Sequence, residues 1–263
     1  MNKIDRDQSI KAEDWCLILE GLSEAISIPS NLEIIFHEPI EIGQILLGLR
    51  GSIKALEAFL KALPDEVVCL SIKKGQGELF CLPSGLKIFP YPLRKKGSLC
   101  LKIKGAFGSG LHPTTRLCLS LLDELTLKES ALGLDWGAGS GILSLVAAKK
   151  GARVVSLELD LQAAQICAEN VSLNGLGNNV WVVCGSLDSV KGRFNLIMAN
   201  LYLRLLIPQA AVLQELLLPG GWLLLSGFWE STLPQIRKAY KNFQIVEIRT
   251  LSPWAGVLLK KIS

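Results

Sequence analysis

The chain has 263 residues, of which 49% are apolar and 20% charged, and a formal charge of +4. That composition excludes a disordered polymer and supplies one large core or two smaller ones. Mean hydropathy is +0.37, yet no run reaches the ~18 uninterrupted apolar residues of a membrane-spanning helix.

The N-terminal stretch, 1–14, is polar and lacks the apolar centre of a signal peptide. A cytoplasmic protein with no membrane attachment is expected. Charge is unevenly spread: residues 1–66 hold 6 Lys/Arg against 12 Asp/Glu, and residues 67–263 hold 22 against 12. This is either an ordinary solvated surface or an acidic module that meets a basic partner. The seven cysteines include no C-x-x-C pair, so they are expected to be reduced core residues. Only His37 and His112 are present, which excludes a multi-histidine metal site, and no metal is expected.

In chain order, residues 10–26 carry Trp15, Ile18, Leu19, Leu22 and Ile26 at helical spacing. Residues 32–37 read as a strand, and 50–63 as a second helix that stops at Pro64. Residues 67–72, 78–82 and 86–89 are further strand candidates. Prolines and charge in 90–97 mark a linker, which divides an α+β module, 1–95, from the remainder, 96–263. Beyond it, strands are expected at 132–136, 153–159, 180–184, 194–199 and 222–226, alternating with helices at 142–150, 161–174, 203–217 and 233–241. Such β-α alternation with apolar strands implies a mostly parallel sheet covered on both faces. Residues 243–251 and 256–260 have no helix between them and should close the sheet as an antiparallel pair.

Four stretches carry chemistry. Leu134-Asp135-Trp136-Gly137-Ala138-Gly139-Ser140-Gly141 leaves a strand and opens a helix, the position where a doubly wound sheet binds a nucleotide. Tight strand-to-helix turns use glycine even without a ligand, so the spacing matters. The register is G-x-G-x-G with Ile142 following, whereas a dinucleotide fingerprint is G-x-G-x-x-G, which argues against NAD or FAD. About 20 residues on, Glu158 ends a strand where a carboxylate can accept ribose hydroxyls, and Asp160 is placed to cap the next helix. The third stretch is Phe107-Gly108-Ser109-Gly110-Leu111-His112-Pro113-Thr114-Thr115, a glycine-rich loop leading into a helix. It either lies over a ligand or makes an interdomain turn. His112 within it reads as a loop-shaping hydrogen-bond donor, a proton carrier or a surface residue. The fourth is Met198-Ala199-Asn200-Leu201-Tyr202 at a strand end. There Asn200 either holds an amine through its side-chain carbonyl or caps a helix.

In this order the four stretches resemble the ribosomal protein methyltransferase family that modifies large-subunit ribosomal protein eleven, over roughly residues 104–230. Residues 106–115 are similar to the family's A-F-G-[ST]-G-x-H-P-T-T run, 135–141 to its D-x-G-x-G-S-G loop and 199–201 to its A-N-[IL] motif. The resemblance implies an α/β, Rossmann-like seven-stranded class I methyltransferase sheet behind a smaller N-terminal α+β domain that would recognise the substrate. It implies S-adenosylmethionine as cofactor, with Thr115, Gly137, Glu158 and Asn200 at contact positions. With Phe107, Gly108, Gly110, His112, Asp135, Gly139 and Gly141 these make the expected cofactor site. The sequence departs from the pattern at Glu158, where the family usually has Asp, and at Ala138, where Cys is common. The family's D-W-x-x-x-W-type linker is not present before residue 100, and Asp14-Trp15 stands too early to be it.

The implied activity is methyl transfer to amines, lysine side chains or an N-terminus, of a ribosomal protein, with large-subunit protein eleven as the expected substrate and a monomer as the expected state. Another protein lysine, an RNA or a small molecule is the alternative acceptor. RNA contact lacks the support of a compact Lys/Arg cluster with interleaved aromatics. Asn200 is the expected catalytic residue: it can orient the amine but cannot take its proton. An ordinary lysine amine, with a pKa of ~10.4, must first become neutral, which an apolar pocket favours. Trp136, Phe228 and Trp229 either face a sulfonium or fill the core.

Overall fold

The computed structural model describes residues 15–22, 27–41, 44–63, 68–74, 79–91, 95–102, 108, 110 and 112–262. The chain divides into two compact units, 1–78 and 79–263.

In the first unit, β1 (Trp15–Leu22), β2 (Glu33–Glu41), β3 (Gln44–Gly51) and β4 (Val68–Lys74) form a four-stranded sheet of order β2-β3-β1-β4, with α1 (Ile53–Lys61) between β3 and β4. Every pairing in it is antiparallel. The helix expected over 10–26 is replaced over Trp15–Leu22 by the strand β1, flanked on both sides by β3 and β4. The unbroken apolar run from Trp15 to Leu19 satisfies either period, and pairing on two edges decides for the strand. Helix α1 is as expected: the Ser52 side chain accepts from the Ala55 N–H at 3.3 Å, and Leu56 and Phe59 are buried.

The second unit begins with β5 (Phe80–Cys81), β6 (Lys87–Pro90) and β7 (Leu99–Leu101), a three-stranded sheet. The division therefore falls before β5 and not at residue 95. The reason is side-chain anchoring on two later helices, α2 (Pro113–Glu124) and α4 (Leu161–Leu173). Ser84 donates through its backbone N–H and its hydroxyl to the Asp123 carboxylate of α2, both at 2.7 Å. The Lys102 N–H donates to Asn170 of α4 at 2.7 Å, and the Cys100 N–H to Asn174, which caps that helix, at 2.8 Å.

The main sheet contains β8 (Leu132–Trp136), β9 (Arg153–Glu158), β10 (Val180–Cys184), β11 (Phe194–Asn200), β12 (Leu217–Trp229), β13 (Phe243–Leu251) and β14 (Trp254–Lys261). Its order is β10-β9-β8-β11-β12-β14-β13. The first five strands pair in parallel, and β14 runs antiparallel to both β12 and β13, as the missing crossover helix requires. Helix α3 (Ile142–Lys149) follows β8 and packs on β8 and β9, α4 packs on β9 and β10, and α2 packs on β12 and β14. The single helix expected over 203–217 is two, α5 (Leu203–Leu206) and α6 (Ala210–Leu216), because Pro208 interrupts it. Helix α7 (Leu233–Ala239) precedes β13.

Alternation along the strands sorts the two faces. Leu134, Leu157, Ile197, Ala199, Leu223, Leu225, Val257 and Leu259 point into one core with Leu206, Leu213, Ile236 and Tyr240. Their neighbours Asp135, Ser156 and Ser226 fall on the face of α2, α3 and α4 and are all buried. Phe228 belongs to the first core and Trp136 packs partly against it. Among the cysteines, Cys100, Cys118 and Cys167 are buried as expected, but Cys81 and Cys184 are exposed. Among the described residues no helix is long and apolar enough to cross a membrane.

Candidate active site

Strand order reverses at β8, with β9 and β10 to one side and β11 and β12 to the other. In an open parallel sheet a ligand crevice forms at that reversal, beyond the carboxyl ends of the strands. The ends of β8, β9 and β11 bring three of the four sequence stretches there, and the N-terminus of α2 brings the fourth.

The loop between β8 and α3 turns on Gly137, Gly139 and Gly141, whose φ values are 76°, 52° and 80°. L-residues rarely adopt this left-handed region. At Gly137 a Cβ would also stand 2.5 Å from Leu201 Cδ2, so any larger residue would push the Leu201 side chain aside. The Gly137 and Ala138 N–H groups donate to the Leu157 carbonyl at 2.8 and 3.1 Å, fixing the loop against β9. Ser140 holds the second glycine stretch onto the first, its hydroxyl donating to the Gly108 carbonyl at 2.6 Å. A Cβ at Gly110 would stand 2.9 Å from Ile142 Cδ1, so this stretch lies directly over the start of α3. Phe107, expected beside it, lies outside the described residues.

Glu158 closes β9, but its carboxylate is already engaged. It accepts the Gly139 N–H at 2.8 Å on one oxygen, and the Leu159 and Asp160 N–H groups at 2.8 and 3.0 Å on the other. A carboxylate has about four acceptor positions, so one remains, on the oxygen facing Gly139. The extra methylene of Glu over Asp lengthens its reach back to the loop. Asp160 caps α4 as expected, accepting the Ala163 N–H at 2.8 Å.

Asp135 lies beneath the loop. Its carboxylate accepts the Ser144 N–H at 3.1 Å and the Ser144 hydroxyl at 2.7 Å, and Ser156 donates to Ser144 at 2.6 Å. All three side chains are buried. Burial pushes the Asp135 carboxyl up to about 6, against the pull of the Ser144 bonds and with a push from the Glu158 charge.

His112 is the N-cap of α2. Its Nδ1 accepts the Thr114 N–H at 3.3 Å, with Pro113 in the first helical turn. At Nδ1 the ring therefore shapes the loop as an acceptor. Burial lowers its pKa to about 4, which leaves it neutral near pH 7. One turn further, Thr115 is 1% exposed, and its Oγ1 receives the Asn200 Nδ2–H at 3.3 Å. Asn200 ends β11 opposite Ser226 of β12. Its Oδ1 is buried and has no hydrogen-bond partner among the described residues. A buried acceptor without a donor costs about 1–3 kcal/mol, so it marks a place where a donor belongs.

Sequence reasoning missed Ser144, Ser156 and Asn170, and gave Ser140 no role of its own within the loop. Asn170 is fully buried and donates to the Lys102 and Ser140 carbonyls, each at 2.9 Å, so it joins β7 to the glycine loop. A buried-face amide within an otherwise apolar helical stripe was the available signal. The turn after β10 was missed as well. It reaches the crevice because Cys184 lies beside Glu158 and the Gly185 N–H donates to the Glu158 carbonyl at 2.8 Å.

The sheet order, the glycine loop at its reversal and the acidic strand end together define a class I methyltransferase fold. A model of the family Ribosomal protein L11 methyltransferase (PrmA) matches residues 90–262, and the chain belongs to that family. The ribosomal protein L11 methyltransferase of Geobacter sp. (strain M21) is 33% identical over 177 residues, 64% of this chain and 58% of that protein. That of Campylobacter concisus (strain 13826) is 28% identical over 242 residues, 88% of this chain and 86% of that protein. Among solved structures, the ribosomal protein L11 methylase of Lactobacillus delbrueckii subsp. bulgaricus superposes with a TM-score of 0.60 at 29% identity, covering 68% of this chain and 95% of that one. The chain thus spans less than two thirds of the length of the Geobacter relative it matches.

Proposed function

We propose that this chain transfers methyl groups from S-adenosylmethionine to amines of a ribosomal protein, with large-subunit protein L11 as the substrate its family membership favours. The observation that carries the reading is the buried Oδ1 of Asn200 at the crevice, which has no partner among the described residues and is an acceptor suited to an incoming N–H donor.

The residues fit the cofactor. The left-handed glycine loop leaves backbone open to a close-lying ligand, and the remaining acceptor position of Glu158 suits a ribose hydroxyl. When bound, S-adenosylmethionine supplies a methyl carbon activated by a positive sulfonium, so the protein needs no nucleophile of its own. What the chain contributes is alignment and exclusion of water. Thr115 holds the Asn200 amide in one orientation, and Oδ1 accepts an N–H of the neutral amine, aiming its lone pair. Asp135 is hydrogen-bonded beneath α3 and supports the loop in place of serving as base. The unit 1–78 would select the protein substrate, and a monomer working in the cytoplasm completes the reading.

Asn200→Ala should lower kcat by about tenfold or more and weaken cofactor binding by less, because it removes a contact to the acceptor; an unchanged kcat removes Asn200 from the mechanism. The substrate is tested by radiolabelled methyl transfer into separated ribosomal large-subunit components. Label in protein L11 is expected, and label confined to RNA or to other proteins overturns the substrate assignment.

A further inference from the structure

Beside Asn200 the rim of the sheet carries a group of rings that alignment of the amine does not use. Trp229, the last residue of β12, is paired with Trp254, the first of β14. Their rings meet edge to face, with centroids 6.5 Å apart and planes at 66°. His112 stands edge-on to Trp254 at 5.0 Å. Trp229 is 56% exposed, although the preceding Phe228 is 3% exposed. Leaving an indole half open forgoes part of its hydrophobic stabilisation.

The group is joined to the transfer site. His112 caps α2, and Thr115, one helical turn (~5.4 Å) along it, touches Asn200 at 3.3 Å. In residues 112–115, 226–232 and 252–256 the single charged side chain is Glu230. Burial keeps His112 neutral near pH 7, so it brings no positive charge to the rings. An indole face attracts an ammonium within ~6 Å of its centroid.

We propose that Trp229 and Trp254 form an aromatic wall that receives the cationic head of the acceptor side chain: the ammonium docks there, releases one proton to water to give the neutral amine that Asn200 aligns, and after transfer returns as a methylammonium. The inference rests on the methyl-transfer reading and names the residues that recognise its acceptor. The wall reads charge more than shape: a methylated ammonium remains a cation and spreads its charge over methyl groups that pack on the ring.

The test uses the full chain and two probes, Nα-acetyl-Nε-trimethyllysine methylamide and its neutral analogue with a tert-butyl group in place of trimethylammonium. Binding is followed by the indole Nε1–H signals, with S-adenosylmethionine titrated calorimetrically into the same samples. The cationic probe should bind about tenfold tighter than the neutral one. Trp229→Ala and Trp254→Ala should abolish that preference with cofactor binding intact, and Trp229→Phe should keep part of it. Equal binding of the two probes, or a preference that survives in both alanine variants, overturns the wall. Should Trp254→Ala fail to fold, Trp229→Ala, at an exposed position, decides alone. Wild-type protein that binds no S-adenosylmethionine overturns the methyl-transfer reading itself, whereas cofactor binding without charge preference overturns only the wall.

Discussion

Asp135 shows how a residue beneath the cofactor loop affects stability. Its carboxyl titrates at about 6 in the fold against an ordinary 3.8, so folding takes up a proton between those pH values. Its contribution is most favourable below about pH 4, declines as pH rises to about 6 and is flat beyond. The penalty at neutral pH is on the order of 3 kcal/mol. Asp135→Asn keeps an oxygen for the Ser144 donors and removes the buried charge. Its Tm relative to wild type should therefore be higher at pH 7.5 than at pH 4.5, measured by calorimetry. An equal difference at both pH values would show that the carboxyl is not shifted. Glu158 makes the complementary point. Its identity and position were legible from the strand end, but the Gly139 donor to its carboxylate was not, because it depends on a loop folding back from 19 residues upstream.

At the scale of elements, α2 is the clearest case of a motif that serves two roles. The His112-Pro113 pair starts the helix, and the same helix presents Thr115 to Asn200. A histidine cap is acid-sensitive. With His112 held at about 4 against an ordinary 6.5, the unfolded chain gains a proton before the folded one does. Stability is therefore full above about pH 6.5 and falls as pH drops towards 4. His112→Asn retains a capping oxygen and should lose less Tm than wild type between pH 7 and pH 5; equal losses would remove the histidine from the acid response. The β-α alternation of residues 132–261 was legible because parallel strands are continuous apolar runs set off by glycine and proline. Before residue 102, α1, β2, β4, β5 and β6 were legible near their observed places, and β1, β3 and β7 were not. Strand β1 carries both periods at once, β3 follows β2 with little turn signal, and β7 has only Leu99–Leu101. What joins β5–β7 to the second unit is a set of side-chain amides and a carboxylate, Asn170, Asn174 and Asp123, and composition does not show side-chain partners. The Pro-rich stretch 90–97, read as a linker, falls within that unit.

For the whole molecule, the division after residue 78 also divides charge. Residues 1–78 hold 8 Lys/Arg against 13 Asp/Glu, and residues 79–263 hold 20 against 11. An acidic unit suits the recognition of a basic protein, whereas the site residues all lie in the basic one. A fragment of residues 79–263 should therefore bind S-adenosylmethionine with the affinity of the full chain, by calorimetry, and lose most of its methyl transfer into protein L11. Full transfer by the fragment would assign substrate choice to the second unit.

The two ends of the main sheet differ in a way that bears on how the protein survives at high concentration. Strand β13 is protected as an edge: its Arg249 pairs with Glu247 at 2.6 Å and with Glu124 of α2. Strand β10, Val180-Trp181-Val182-Val183-Cys184, has neither charge nor proline. Trp181 and Val183 are 40% and 41% exposed, and the Arg153 guanidinium over the Trp181 ring at 5.1 Å is the one cation described there. Unpaired backbone at an uncharged, β-branched edge is a template for a foreign strand. Aggregation of this protein would therefore begin at β10, in proportion to concentration, and salt that weakens the charges guarding β13 would leave that starting point unchanged.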